Sequence, residues 1–276
     1  MNKEKAHAEL SASGSERWLN CPGSVKLSRG VPEPPESKYA LEGTKAHELL
    51  ELKLKAMLEG RVYHSKRFPP DMVIAVRKAV DFVATNWSPK TEELITEEKI
   101  SLEFIGDDMF GTADIQIIED FGRLQVWDYK HGKGKVVEVA EKTPRGKSLN
   151  TQLVYYALGV AHKFNFNFSE IEIGVIQPRA PYTYHAGTSE DTIFSSPNKT
   201  IRSIVIPTRE LKGYIDLFSR GVDRVYGRDP KLYPGRWCHW CKAKSICPKQ
   251  ENIRAESMAA LFEDDLIDDN FNDMGF

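Results

Sequence analysis

Cysteine is scarce in this chain, with four residues in 276, and its placement is uneven. Cys21 stands alone near the start, while Cys238, Cys241 and Cys247 crowd together near the end. Net charge is also nearly missing: 38 Lys and Arg face 40 Asp and Glu, so bulk charge carries no nucleic-acid signal. A local basic groove balanced by an acidic tail would still fit, because steering depends on local field rather than on the sum. No apolar run approaches the length of a membrane span, and Met1 to Ser15 is polar and charged, without a signal-peptide pattern. No internal repeat is present. These absences predict a cytoplasmic chain with no membrane partner, in which disulfides are not expected. The length suits one large domain, or a core with an elaborated edge, and can bury a substantial apolar core.

The periodicity changes along the chain. Ser11 to Trp18 reads as a cap and a helical turn leading to Cys21-Pro22-Gly23, and Val31 to Ser37 as a Pro/Glu-rich linker. A helix is predicted over Ser37 to Glu59, with Leu50, Leu54, Met57 and Leu58 at helical spacing and Gly60 as its stop. A second helix is predicted over Asp71 to Asn86. Glu97 to Phe104, Thr112 to Ile118 and Arg123 to Tyr129 then read as strands. A polar loop from His131 to Ser148 leads to a helix from Leu149 to Lys163. Glu170 to Gln177 and Ser203 to Ile206 read as strands, and Thr208 to Tyr226 as a helix capped by Thr208.

Chemistry-bearing residues gather on the second and third strands. In Trp127-Asp128-Tyr129-Lys130 the acid and the lysine are two apart, so on a strand both face one side. Asp114, in Phe110-Gly-Thr-Ala-Asp114, lies on the preceding strand, which most simply pairs antiparallel with it. Two carboxylates at one level can hold a hard divalent cation, with Lys130 adding positive charge beside a phosphate or orienting water. The bland alternative is an Asp–Lys pair on a solvated strand face. His47 precedes Leu50, Leu54 and Met57 by three, seven and ten residues, which places it on the apolar stripe of its helix, facing inward. It could equally be a core histidine bonded to a carbonyl. Gln152 and Tyr156 are four apart on one helical face, fit to touch substrate or water, or to edge a core.

The cysteines admit two metals. Cys238-x2-Cys241 is a common way to offer two thiolates to one centre, and four cysteines suit tetrahedral zinc or a [4Fe–4S] cluster. His239 is available as a rival zinc ligand. The proline after Cys247 favours iron–sulfur, since proline also closes such runs elsewhere. A link from Cys21 to Cys238 would close a very large loop, which points to a structural role.

In chain order, His47, Gly111-Thr112-Ala113-Asp114, Asp128-Tyr129-Lys130 and Gln152-x3-Tyr156 resemble the PD-(D/E)XK nuclease superfamily in its RecB-like branch. The four cysteines resemble that branch's iron–sulfur subset, which includes CRISPR-associated adaptation nucleases, AddB-type subunits and phage relatives. The resemblance covers roughly Ser11 to Pro248. It implies an α/β fold, a mixed central sheet flanked by helices, as in a restriction-endonuclease-like core. It implies a DNA exonuclease of phage or bacterial recombination, replication or repair, acting on DNA with a free end or single strand. His47, Asp114, Asp128 and the Tyr129 carbonyl would hold Mg²⁺ or Mn²⁺, Lys130 would be catalytic, and Gln152 and Tyr156 would position substrate. Cys21, Cys238, Cys241 and Cys247 would hold a [4Fe–4S] cluster, with Zn²⁺ as the alternative.

The expected organisation is one nuclease domain over 1–250, with a core of about 37–210 and cluster-forming ends at 11–36 and 211–250. The segment 251–276 is expected to be a flexible acidic tail. It is rich in acids and ends on Phe276, like the protein-docking tails of single-stranded-DNA-binding proteins, which suggests a replication or recombination partner. A catalytically silent accessory protein of the same fold is the rival class, against which Asp114, Asp128 and Lys130 stand intact. A zinc-ribbon transcription factor would not need the His–Asp–Asp–Lys set.

Overall fold

Caps and apolar spacing set the first two long helices. In the computed structural model, which describes residues 8–119, 122–143, 146–180 and 200–249, helix α3 spans Lys38–Leu58. Short helices α1 (Ser15–Asn20) and α2 (Gly23–Ser28) precede it. The Ser37 hydroxyl accepts the Ala40 N–H at the start of α3, and Gly60, at φ 64°, takes the left-handed turn that ends it. Helix α4 (Pro70–Asn86) opens on a proline, whose missing N–H costs nothing in a first turn. Leu49, Leu50 and Leu54 of α3 and Met72, Val76, Ala79 and Val83 of α4 recur every three or four residues and are buried together.

Their partner is a five-stranded mixed sheet of order β1-β2-β3-β6-β7. Strands β1 (Glu92–Ser101), β2 (Phe110–Glu119) and β3 (Arg123–Tyr129) form an antiparallel meander. Strand β6 (Glu170–Ile176) lies parallel to β3, and β7 (Ile201–Pro207) is antiparallel to β6. Leu94, Ile115, Ile117, Trp127, Tyr129 and Ile176 complete the cluster with α3 and α4. Helix α5 (Thr151–Lys163) supplies the β3-to-β6 crossover that parallel strands require, and packs against β1, β2, β3 and β6. It is buried from Leu153 to Ala161, which suits a helix with almost no polar face. The α/β class with a mixed, helix-flanked sheet is therefore as the sequence implies.

Several boundaries differ from the sequence reading. The first strand runs Glu92–Ser101 rather than Glu97 to Phe104, because Leu102 to Met109 forms a turn closed by the Leu102 N–H on the Met109 carbonyl. Four glutamates between Glu92 and Glu98 mask the strand's alternation. The supposed loop after His131 contains a hairpin, β4 (Ala140–Thr143) with β5 (Gly146–Leu149), whose polar composition gives no strand signal. Leu149 consequently ends a strand instead of starting α5, and the Asn150 side chain caps the helix by accepting the Gln152 N–H. Helix α2, a single turn and a half, is likewise new.

The described residues fall into two compact units, with boundaries after Ala12, Pro35 and Leu217. The unit just described holds the sheet with α3, α4 and α5. In the other, Trp18 and Leu19 of α1 pack on the later part of helix α6 (Thr208–Tyr226), where a side chain at Gly221 would strike both. Trp18 is fully buried beside Phe218, ring centroids 5.6 Å apart, and Arg224 donates to the Leu19 carbonyl at 2.8 Å. The segment after α6 folds back through two 3₁₀ turns, Arg236–Trp240 and Lys244–Ile246. No described helix is long and apolar enough to cross a membrane. The acidic tail expected over 251–276 lies outside the described residues.

Candidate metal centre

The site begins where the β2–β3 ladder ends. The last recorded pair is Ile115 with Trp127, so Asp114 and Asp128 occupy the next facing positions. There the Asp114 side chain replaces a backbone partner: its Oδ2 accepts the Tyr129 N–H at 2.7 Å. On the other side of β2, the β1 register passes from Thr96–Ile115 to Glu98–Ala113 and skips Glu97, which faces Asp114. Glu97 sits at φ 51°, a left-handed conformation that is costly for glutamate and concentrates at functional sites. The distortion brings the Glu97 carboxylate beside His47 of α3. The His47 Nδ1 is 3.5 Å from Asp114 Oδ1 and 3.6 Å from Glu97 Oε1.

His47, Glu97 and Asp114 present ligand atoms mutually within 4.8 Å, and among the described residues no other group of three His, Cys, Asp or Glu does so. His47 faces inward, onto Asp114 and the edge of the buried Tyr129 ring, and a third of its side chain remains exposed, so it is not a core histidine bonded to a carbonyl. Glu97 was missed. Its only sequence signal was membership of a glutamate run, and the backbone distortion that singles it out has no signature there.

Asp128 lies beside this group but is engaged elsewhere. Its Oδ1 accepts from Lys130 Nζ at 3.1 Å and from the Gln152 amide at 3.3 Å. Lys130 also donates to Gln152 Oε1 at 3.2 Å, and the Gln152 amide reaches the Tyr156 hydroxyl at 3.0 Å. Asp128, Lys130, Gln152 and Tyr156 therefore form one continuous network, anchored on β3 and α5. Trp127 and Tyr129 alternate to the α3–α4 face, which is why Asp128 and Lys130 both meet α5. Gly111 leaves room for the Tyr156 ring, whose edge would come within 3.3 Å of a Cβ there.

Charge is out of balance in this cluster. Burial pushes the Asp114 carboxyl well above the usual range, the Asp128 and Glu97 charges add to it, and His47 and the Tyr129 N–H oppose it. Burial disfavours the His47 imidazolium, yet Asp114, Glu97 and Asp128 outweigh it and raise its pKa to about 9. Lys130 likewise loses solvation but is held protonated by Asp128 and Asp114. Glu97 Oε1 is buried without a hydrogen bond, whereas Asp128 Oδ2, also buried, faces the Lys130 ammonium at 2.9 Å. A buried anionic oxygen in the condition of Glu97 suits a cation, and the His/Glu/Asp donor set suits a divalent one.

The four cysteines all fall in the second unit as free thiols, Cys21 and Cys238 buried and Cys241 and Cys247 half-buried. The Tyr233 N–H points at Cys21 Sγ (3.3 Å) and the Gly235 N–H at Cys238 Sγ (3.4 Å). Burial raises the Cys21 pKa against the N–H groups of Tyr233 and Ser24, and the Cys241 and Cys247 sulfurs raise it further. Cys238 responds in the same way to burial and to the other three sulfurs. The fold thus brings sulfurs more than 200 residues apart in the sequence into electrostatic reach of one another.

Comparison with known proteins places the chain in a family. The model described as "Protein of unknown function (DUF2800)" matches residues 7–271, and the chain belongs to that family. Among solved structures, one described as "Putative exonuclease" from Eubacterium rectale is similar, with TM-score 0.45 and 11 % identity over 78 % of this chain and 79 % of that one. Another, SSO0001, aligns with TM-score 0.36 and 12 % identity over 90 % of this chain and 89 % of that one.

Proposed function

We propose that this member of the DUF2800 family is a metal-dependent DNA nuclease, an exonuclease by preference, acting on DNA with a free end or single strand. The observation that carries the reading is the junction of the His47–Glu97–Asp114 group with the Asp128–Lys130–Gln152–Tyr156 network on one sheet. A Mg²⁺ or Mn²⁺ ion held by His47, Glu97 and Asp114, with Asp128 and the Tyr129 carbonyl adjoining, would supply Lewis-acid stabilisation of phosphate charge and water activation at neutral pH.

The protein's own groups have separable tasks. Lys130 keeps its proton and places a fixed positive charge where charge grows on a phosphodiester. Gln152 spends both ends of its amide on Lys130, Asp128 and Tyr156, which locks all three orientations before substrate arrives. The Tyr156 hydroxyl stays neutral, because burial and the Asp128 charge push its pKa up, so it acts by hydrogen bonding alone. The bland alternative, a solvated Asp–Lys pair, does not suit a carboxylate only 3 % exposed.

The cysteines are proposed to hold a [4Fe–4S] cluster of structural role. The four sulfurs lie within electrostatic reach of one another, and the proline after Cys247 favours an iron–sulfur cluster over tetrahedral zinc, which is the alternative. Residues 1–250 are read as one nuclease domain with an acidic tail that docks a replication or recombination partner.

The test is to incubate purified protein with end-labelled linear and with closed circular DNA, adding Mg²⁺ or Mn²⁺. Release of mononucleotides or short products from linear DNA, with circles intact, is the expected result. No cleavage of either substrate with either metal would refute the nuclease assignment.

A further inference from the structure

A glycine- and lysine-rich loop, Gly132-Lys133-Gly134-Lys135, follows directly after Lys130-His131. All four residues are exposed, and both glycines have open space where a side chain would go. Neither lysine ammonium makes an ion pair among the described residues. Such a loop would ordinarily keep much of its conformational freedom.

Here it is held by a buried polar clamp. Gln177, 2 % exposed, sits just past β6. Its amide nitrogen donates to the carbonyls of Gly132 (3.2 Å) and Lys135 (3.1 Å), pinning both ends of the loop. Its oxygen accepts from the Val137 N–H at 3.0 Å and from Arg202 Nη2 at 2.7 Å. Arg202 of β7 is fully buried and also donates to the Val137 carbonyl at 3.0 Å. Burying a guanidinium is expensive, and two of its hydrogen bonds go to the loop's exit and to the amide that holds the loop. A mere connector needs no such support.

We propose that Gly132–Lys135 is a subsite for the phosphates of a polynucleotide strand, with Lys133 and Lys135 as the binding groups and Gln177 and Arg202 as positioning residues. The inference rests on the nuclease reading and deepens it. Lys133 lies three residues beyond Lys130 and Lys135 five, spans of at most about 11 and 18 Å. At a rise of about 3.4 Å per nucleotide, the loop grips phosphates within roughly five nucleotides of the one beside Lys130. The glycines let the strand's backbone approach closely.

The experiment measures binding without cleavage: fluorescence anisotropy of labelled single-stranded and duplex oligonucleotides in EDTA, across a KCl series. Lys133→Ala with Lys135→Ala is expected to lower the slope of log K against log salt by about 1.4 on single strands and about 1.8 on duplex, as for two lost phosphate contacts. The paired arginine substitutions should restore it. Gln177→Ala keeps both charges and should weaken binding roughly fivefold with the slope retained. The exposed lysine variants do not challenge folding, so they decide the matter whatever Gln177→Ala does to stability. Slopes and affinities equal to wild type in the double alanine variant, or no binding by wild type at low salt, would overturn the subsite. Cleavage by wild type with Mg²⁺ or Mn²⁺ is scored separately. A protein that binds through these lysines and cuts nothing would refute the nuclease reading alone, and one that cuts with lysine-independent binding would refute the subsite alone.

Discussion

Replacing Glu97 by glutamine separates a ligand from a bystander with almost no change of shape. The structure puts Glu97 Oε1 3.6 Å from His47 Nδ1 and leaves it without a hydrogen bond, so the lost charge is one that the proposed cation would meet. A unit negative charge and a divalent cation about 4 Å apart in an effective dielectric near 20 attract by about 8 kcal/mol in gross terms. Relief of repulsion with Asp114 and Asp128 in the metal-free protein, and the amide oxygen that still faces the ion, offset most of this, leaving about 2.7 kcal/mol, or a hundredfold in affinity. Manganese at 100 times its wild-type Kd stabilises the fold by about 2.7 kcal/mol, which raises Tm by roughly 5–11 °C in a protein of this size. The same concentration is only equal to the variant's Kd, giving about 0.4 kcal/mol and roughly 1–2 °C. Glu98, the next residue, pairs instead with Lys163 at 2.6 Å, so Glu98→Gln serves as the control and should keep the full wild-type shift. Differential scanning fluorimetry across a MnCl₂ series reads all three proteins. A Glu97→Gln shift as large as that of wild type would remove Glu97 from the site.

Three further outcomes are expected. Asp128→Ala or Lys130→Ala should abolish DNA cleavage while leaving circular dichroism and the cysteine centre unchanged, since those cysteines lie in a different unit; equal cleavage by wild type and variant would sink the assignment. Protein isolated without oxygen should be brown, with a charge-transfer shoulder near about 400 nm and roughly four irons per chain. Replacing Cys21 should then cost as much stability as replacing Cys241, and a colourless protein with one stoichiometric zinc would reverse the metal choice. Gly174→Ala should destabilise by about 1–3 kcal/mol in chemical denaturation, because its Cβ would lie 2.2 Å from the Trp127 ring across the parallel β3–β6 pair; an unchanged midpoint would show that the ring is free to move.

How legible all this was depended on what each residue's signal was made of. Strand β3 and helix α5 were readable because each is a dense apolar run of fitting length and because Asp128-x-Lys130 and Gln152-x3-Tyr156 keep fixed phase on them. Strand β1 was misplaced because Glu92 to Glu98 is mostly acidic, and its existence rests on pairing with β2 rather than on its own composition. The β4–β5 hairpin was invisible for the same reason, since Ala-Glu-Lys-Thr and Gly-Lys-Ser-Leu carry almost no β preference. Glu97 and the Gln177–Arg202 clamp are tertiary features. Each needs two or more segments to be in place before its chemistry exists, so no local pattern could announce it.

The protein keeps an electrostatic conflict that packing alone would remove. Glu97, Asp114 and Asp128 bring three carboxylates together, and the nearby cations are His47, when protonated, and Lys130. With all three acids ionised one negative charge is unmatched in a place where Asp114 and Asp128 are almost fully buried, which is part of why the Asp114 carboxyl is pushed up. A structural ion-pair network has no use for that surplus, since replacing one acid by an amide would keep the Tyr129 N–H bond and relieve the repulsion. Nor would it require Glu97 to adopt a left-handed backbone in the middle of a strand. Both costs are recovered if the surplus charge and the unbonded Glu97 oxygen serve a divalent cation, which is the condition under which local rules are broken at functional sites. The surrounding sheet can bear these costs because α3 and α4 cover one face and α5 the other, so the strain is confined to the end of the β2–β3 ladder where the acids meet.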